Sequence, residues 1–149
     1  MKLHLPTLIC AFFLMHTSPL FSQVEKVIYQ YLKIEDSVTH IQFQLTDEYE
    51  IFFWHHENQI LIESHARLDG GSMDLLAILI REGRYKIYLD NKYPHSGLKS
   101  MVEKRPLIKN KGKLCQETVK MKIFVPDIFE NRSTTEFQRI IEATTVAKN

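Results

Sequence analysis

Residues 118–126 read TVKMKIFVP, and the alternation in that stretch decides the fold class. Val119, Met121, Ile123 and Val125 fall at every second position, against Thr118, Lys120, Lys122 and Phe124. Successive side chains of a strand point to opposite faces, so this spacing predicts a strand with one face on a core and the other in water. Pro126, which has no amide to give to a ladder, closes it.

Working outward, the same period recurs. Ile41, Phe43 and Leu45 alternate with His40, Gln42 and Gln44, and residues 59–67 (QILIESHAR) set Ile60, Ile62 and Ser64 against Leu61, Glu63 and His65. Residues 49–55 (YEIFFWH) are so rich in aromatic and β-branched side chains that they are expected to form the most buried strand. A weaker alternation runs through 24–34, and another strand is expected at 84–89 (RYKIYL). Thr46-Asp47-Glu48 and the residues after His55 read as turns. Connections this short predict consecutive antiparallel hairpins, because a parallel crossover needs a dozen or more residues.

Two segments break the pattern. After Asp69-Gly70-Gly71, Ser72 is placed to cap a helix over 73–82, with Leu75, Leu76, Leu79 and Ile80 on one stripe and Gly83 as its left-handed terminator. Ser133 and Glu136 have the spacing of a capping box, which predicts a second helix through Phe137, Ile140 and Ile141. Between 90 and 112 the pattern dissolves, with Leu98, Met101, Val102, Leu107 and Ile108 left to form a short irregular strand pair. The expected fold is mainly β, of the α+β kind: an antiparallel sheet or sandwich with one short packed helix and a C-terminal helix.

The first 22 residues read differently. Lys2 precedes the apolar run 8–15 (LICAFFLM), which is followed by His16-Thr17-Ser18-Pro19. This is the layout of a secretory signal, and its apolar run is far short of the roughly 20 residues that span a bilayer. Cleavage after Ser22 leaves about 127 residues, enough for a single domain, 23–149, working outside the cytoplasm as a periplasmic, cell-surface or secreted protein. Cys10 leaves with the leader, so Cys115 has no partner for an internal disulfide. Charge is balanced at 19 basic and 18 acidic residues, which gives no global attraction for nucleic acid or anionic lipid.

Few residues suggest chemistry. His55, His56 and His65, with Glu57 and Glu63, are the nearest approach to a metal cluster, since imidazole binds zinc and copper well. His55 and His65 could face each other across a hairpin. Their spacing matches no zinc pattern, however, and adjacent His55 and His56 diverge in a strand, so neither metal nor cofactor is expected. Gly70-Gly71-Ser72 lacks the lysine of a phosphate loop and reads as a helix cap. Cys115 has lysines nearby but no histidine beside it, and reads as a structural thiol. From Lys99 to Lys122 eight cations stand against Glu103 and Glu117. Such a segment could meet lipopolysaccharide, an acidic glycan or an acidic protein face, although its plain reading is a solvated loop. It has no stacking aromatic before Phe124, which argues against nucleic acid.

Residues 49–67, then 75–86 (LLAILIREGRYK), then 115–129 (CQETVKMKIFVPDIF) resemble the N-terminal region of uncharacterised exported proteins of Gram-negative bacteria. In those proteins a glutamate, alternating valines and a terminal proline lead into an adhesin-like β-solenoid. After Pro126 this sequence departs from that pattern. The resemblance implies an envelope location and an adhesin-like accessory role, and it brings no catalytic residue. The expectation is therefore a non-enzymatic interaction module whose partner is an envelope protein or glycan. The rivals are a ligand-binding β protein using Phe52-Phe53-Trp54, and then a metal-dependent hydrolase using His55, His56 and His65.

Overall fold

A computed structural model describes residues 22–140, apart from Glu57 and Tyr93. The expected leader, residues 1–22, therefore lies outside the described residues save for Ser22, and so does Ile141 of the expected C-terminal helix. The fold is mainly β. Eleven strands and one helix are described, in the order β1 (Gln23–Lys33), β2 (His40–Gln44), β3 (Glu48–Trp54), β4 (Gln59–Asp69), α1 (Met73–Arg81), β5 (Ile87–Lys92), β6 (His95–Ser100), β7 (Lys109–Asn110), β8 (Lys113–Leu114), β9 (Gln116–Pro126), β10 (Phe129–Ser133) and β11 (Glu136–Arg139). A four-stranded sheet β1-β4-β9-β3 and a five-stranded sheet β10-β11-β2-β6-β5 enclose one core, and β7 and β8 form a separate hairpin.

The two central strands of the four-stranded sheet follow the alternation in their sequence. Ile60, Ile62 and Ala66 of β4 and Val119, Met121, Ile123 and Val125 of β9 point inward and are buried. From the five-stranded sheet, Ile41, Phe43, Leu98, Ile87 and Phe137 meet them. Phe43 contacts Tyr49 edge-on at 5.8 Å across the sandwich.

The pairing differs from successive hairpins. β2 and β3 are neighbours in sequence but lie in different sheets, so Leu45-Thr46-Asp47 crosses between layers and Glu48 already belongs to β3. β3 runs parallel to β9, and β2 runs parallel to β6. Each of these parallel partners is reached by a long excursion through the opposite sheet, which removes the objection based on short connections. In consequence β3 is an edge strand and not the most buried one. Ile51 is only half-buried and Phe53 is exposed, although its ring still meets Phe137 at 6.1 Å.

The helix forms where expected. Ser72 Oγ accepts from the Leu75 amide at 3.2 Å, and Asp74 and Arg81 suit the two ends of the helix dipole. At the other end Gly83 adopts φ 78°, its amide donates to the Ile80 carbonyl, and the Arg84 amide donates to Leu79. Only glycine takes that conformation without cost. Leu76 is wholly buried, while Leu79 and Ile80 pack against the main core from its margin. Leu75 and Leu79 also reach a smaller cluster of Leu68, Ile108 and Cys115, where the cysteine is a buried free thiol.

The C-terminal segment is a correction. Ser133 and Glu136 pair across the β10–β11 hairpin, and Phe137 sits in strand β11 with no exposed surface. Ser133 Oγ accepts from the Thr135 amide, two residues on, so the hydroxyl that reads as a helix cap stabilises a tight turn instead. The strand expected at 84–89 begins only at Ile87, because Arg84 and Tyr85 belong to the helix-terminating turn.

Candidate functional site: the outer face of the four-stranded sheet

Register places one row of apolar side chains across all four strands on the solvent side. Tyr31 of β1 pairs with Leu61 of β4, Leu61 with Phe124 of β9, and Phe124 with Phe52 of β3. The Phe52 and Phe124 rings stack at 5.3 Å with an interplanar angle of 26°. Trp54, two residues along β3, lies 6.3 Å from Phe124 and carries the His56 ring on its face at 4.9 Å. Its indole N–H donates to the Gln59 carbonyl at 3.0 Å, which fixes the ring. Tyr31 keeps 62% and Phe52 39% of its surface exposed. These side chains are on the face away from the core, so burial inside the sandwich does not account for them.

Beside that row the same face turns ionic. Tyr29, Glu63, Lys122 and Glu50 form the next row, and Val27, His65, Lys120 and Glu48 the one after it. His65 is held by two carboxylates: Nε2 lies 2.7 Å from Glu63 and Nδ1 3.2 Å from Glu25. The hydrogen bond to Glu63, followed by that to Glu25, holds the imidazole above its ordinary pKa, and the His65 contact holds the Glu63 carboxyl below the usual carboxylate range. Lys122 reaches Glu63 at 3.3 Å and Lys120 reaches Glu48 at 3.1 Å. A shallow depression of about 260 Å³ lies here, lined by Glu25, Glu48, Glu50, His65, Lys120 and Lys122 among others. The face thus offers stacking surface and hydrogen-bonding charge side by side.

The three histidines singled out from the sequence do not converge. β9 lies between β3 and β4, so His65 cannot face His55 across a hairpin. His55 follows the end of β3, with Nδ1 2.9 Å from Asp127 Oδ2. His56 lies on Trp54, and Glu57 is outside the described residues. Among the described residues no group of three His, Cys, Asp or Glu side chains is arranged to hold a metal. Of Phe52-Phe53-Trp54, the structure keeps Phe52 and Trp54 on the outer face and turns Phe53 toward Phe137. Tyr29, Tyr31, Leu61 and Phe124 complete the surface and were not foreseen. The signal for the two tyrosines was their place on one side of the weak alternation Val27, Tyr29, Tyr31, Lys33, with the face left undecided.

A second recess was also missed. On the outer face of the five-stranded sheet, Gly97 forms the floor of a polar hollow of about 310 Å³ walled by His40, Gln42, Gln44, Asp90, Lys99 and Glu136. A Cβ at Gly97 would meet only side-chain atoms, Lys99 Cε at 3.2 Å and Gln44 Oε1 at 3.7 Å. A lone glycine within a strand was the available signal. Lys99, 2.6 Å from Asp90, holds that carboxyl below its ordinary range by hydrogen bonding.

Elsewhere the charges brace the fold. At one end of the sandwich Arg84 grips Glu117 at 2.8 and 2.9 Å, and Arg105 grips Asp47 at 2.7 and 2.6 Å. Burial works to raise the Glu117 carboxyl, but its hydrogen bonds with Arg84 are part of a set that outweighs this and leaves it below the usual range. Among the described residues, no helix is long and apolar enough to cross a membrane. Comparison with known protein families, with characterised proteins and with solved structures finds no match. The functional case therefore rests on the chain's own residues.

Proposed function

We propose that this chain is a non-enzymatic, exported binding module whose outer four-stranded face takes a carbohydrate chain of the cell envelope. One observation carries the reading: the in-register row Tyr31, Leu61, Phe124 and Phe52 on the solvent face, exposed at Tyr31 and Phe52, half-buried at Leu61 and Phe124, and extended by Trp54. Isolated exposed apolar residues are ordinary, whereas a contiguous aromatic patch marks an interaction surface. A sugar ring has an apolar C–H face that stacks on such rings and hydroxyls that both donate and accept. The adjoining Glu63, His65, Lys122 and Glu50 supply partners of both kinds within one or two strand rows. Export rests on the reading of residues 1–22, and an envelope role agrees with the resemblance to exported adhesin-like proteins. A hydrolase would need His55, His56 and His65 together, and they are dispersed.

The chain has a single tryptophan, and it stands at the edge of this face. Titration with soluble neutral and acidic envelope polysaccharides is expected to shift Trp54 emission, and Phe52→Ala or Tyr31→Ala is expected to weaken the response about tenfold or more without unfolding the protein. A protein partner would use the same aromatic anchors. If no polysaccharide binds and a purified envelope protein is instead lost on Phe52→Ala, the carbohydrate reading is wrong and the protein-docking one replaces it.

A further inference from the structure

We propose that the β7–β8 hairpin is a docking element for a phospholipid surface bearing anionic headgroups. The observation behind this is a division among the eight cations of residues 99–122. Lys99, Arg105, Lys120 and Lys122 are each committed to a carboxylate: Asp90, Asp47, Glu48 and Glu63 respectively. Among the described residues, Lys104, Lys109, Lys111 and Lys113 have no ion-pair partner, and three of these four belong to one hairpin. The excess charge of the segment is thus gathered at a single projection, and of the two acidic residues that flank it in sequence, Glu103 and Glu117, the latter is engaged by Arg84.

The hairpin is built to hold that charge in place. Lys111 at φ 50° and Gly112 at φ 79° form a two-residue turn in which both positions are left-handed, the geometry that suits the twist of a tight hairpin. Its base is anchored, since Ile108 and Cys115 are buried against Leu68 and Asn110 Nδ2 donates to the Gly70 carbonyl at 3.0 Å. Alternation then sends their neighbours Leu107 and Leu114 outward. Leu107 is 80% and Leu114 61% exposed, the latter directly opposite Lys109. A basic loop that is merely solvated does not call for two exposed leucines flanking its lysines. An interfacial element does, because lysines meet the headgroup phosphates while the apolar side chains enter the boundary with the acyl chains. An acidic polysaccharide would satisfy the lysines but not the leucines, and a nucleic acid would call for stacking aromatics that the hairpin lacks.

The test is co-sedimentation of the mature protein with vesicles of phosphatidylglycerol mixed into phosphatidylcholine, against phosphatidylcholine alone, with dextran sulfate as the soluble polyanion. Binding is expected only to the anionic vesicles and is expected to weaken as salt rises. At about fivefold per lysine, the variant Lys109→Glu, Lys111→Glu, Lys113→Glu should lose about a hundredfold or more. Leu107→Asn with Leu114→Asn should lose several-fold on vesicles and leave dextran sulfate binding unchanged. Both variants alter exposed side chains, and an unchanged melting transition would verify that they fold. Equal binding to both vesicle types, indifference to the charge reversals, or a leucine variant that behaves like the native protein on vesicles would each overturn the proposal. Phe52→Ala should not affect this assay, which keeps it independent of the carbohydrate reading.

Discussion

The central and edge strands of the four-stranded sheet treat their two faces differently. In β4 and β9 the inner face is closed and apolar apart from Ser64, and the outer face is largely polar or charged apart from Leu61 and Phe124. In β1 and β3 apolar residues occupy both faces: Ile28 and Leu32 turn inward while Tyr29 and Tyr31 turn out, and Ile51 turns inward while Phe52 and Trp54 turn out. The fold needs only the inner set. The outer aromatics of the edge strands are therefore where an interest other than stability is visible, and the two sets should respond differently to the same truncation.

The largest expected contrast lies between the two faces. Ile123→Ala or Leu76→Ala removes a side chain with no exposed surface and should cost about 2–5 kcal/mol, a large share of what a small domain has. Phe52→Ala, on the solvent face of the edge strand, should cost roughly 1 kcal/mol or less, and Lys120→Ala about half a kcal/mol or less. Urea denaturation of the four variants measures this. Equal losses for Ile123→Ala and Phe52→Ala would mean that the outer aromatics hold the fold together, and the division between the faces would break down.

That division was only partly legible in the sequence. β9 could be read because lysine stands at alternate positions and marks its wet face. YEIFFW could not, because it is apolar on both faces and composition then mimics deep burial. The parallel pairs β2–β6 and β3–β9 escaped because hairpin logic looks to the next strand in sequence, whereas this chain alternates between layers. The helix was read correctly from local chemistry, the Ser72 cap and the Gly83 stop, since those contacts lie within one or two turns. The same local logic failed at Ser133 and Glu136, where the buried Phe137 and pairing with β2 decide for strand. As for the site, His55, His56 and His65 were visible as residues, but their separation depends on β9 lying between β3 and β4.

A middle-sized effect should come from the charged brace at the end of the sandwich. Glu117 lies with its carboxyl below the usual range, so its contribution to stability is present above the unfolded value near 4.5 and is lost as pH falls through the lower folded value. Glu117→Gln should cost about 1–3 kcal/mol at neutral pH, the worth of hydrogen bonds to charged groups. It should also flatten the fall in stability on acidification. Denaturation midpoints measured from neutral pH down to about 3 test this. An unchanged acid slope in the variant would place the acid sensitivity elsewhere, with Asp90 and Glu63, whose carboxyls are also held low, as the next groups to change.

The smallest effect concerns His65, and it tests whether the ionic part of the outer face is organised or merely crowded. Its imidazole is held above the ordinary value of 6.5, first by the hydrogen bond to Glu63 and then by that to Glu25. A raised folded pKa contributes stability that is fully present below the unfolded value and is lost as pH rises through the folded one. The face is solvent-accessible and screened, so the change in stability between pH 5 and 8 should be slight. The titration itself should be plain. In the native protein the His65 ring protons should move with a midpoint above that of an unpaired histidine, and Glu63→Gln should lower the midpoint more than Glu25→Gln does, because Glu63 is both closer and the larger cause. Proton NMR across that range resolves the two variants. If His65 titrates at or below 6.5 in the native protein, the carboxylates do not grip it in solution, and the ionic rows beside the aromatic surface are a loose collection of surface charges instead of a preformed half of a binding face.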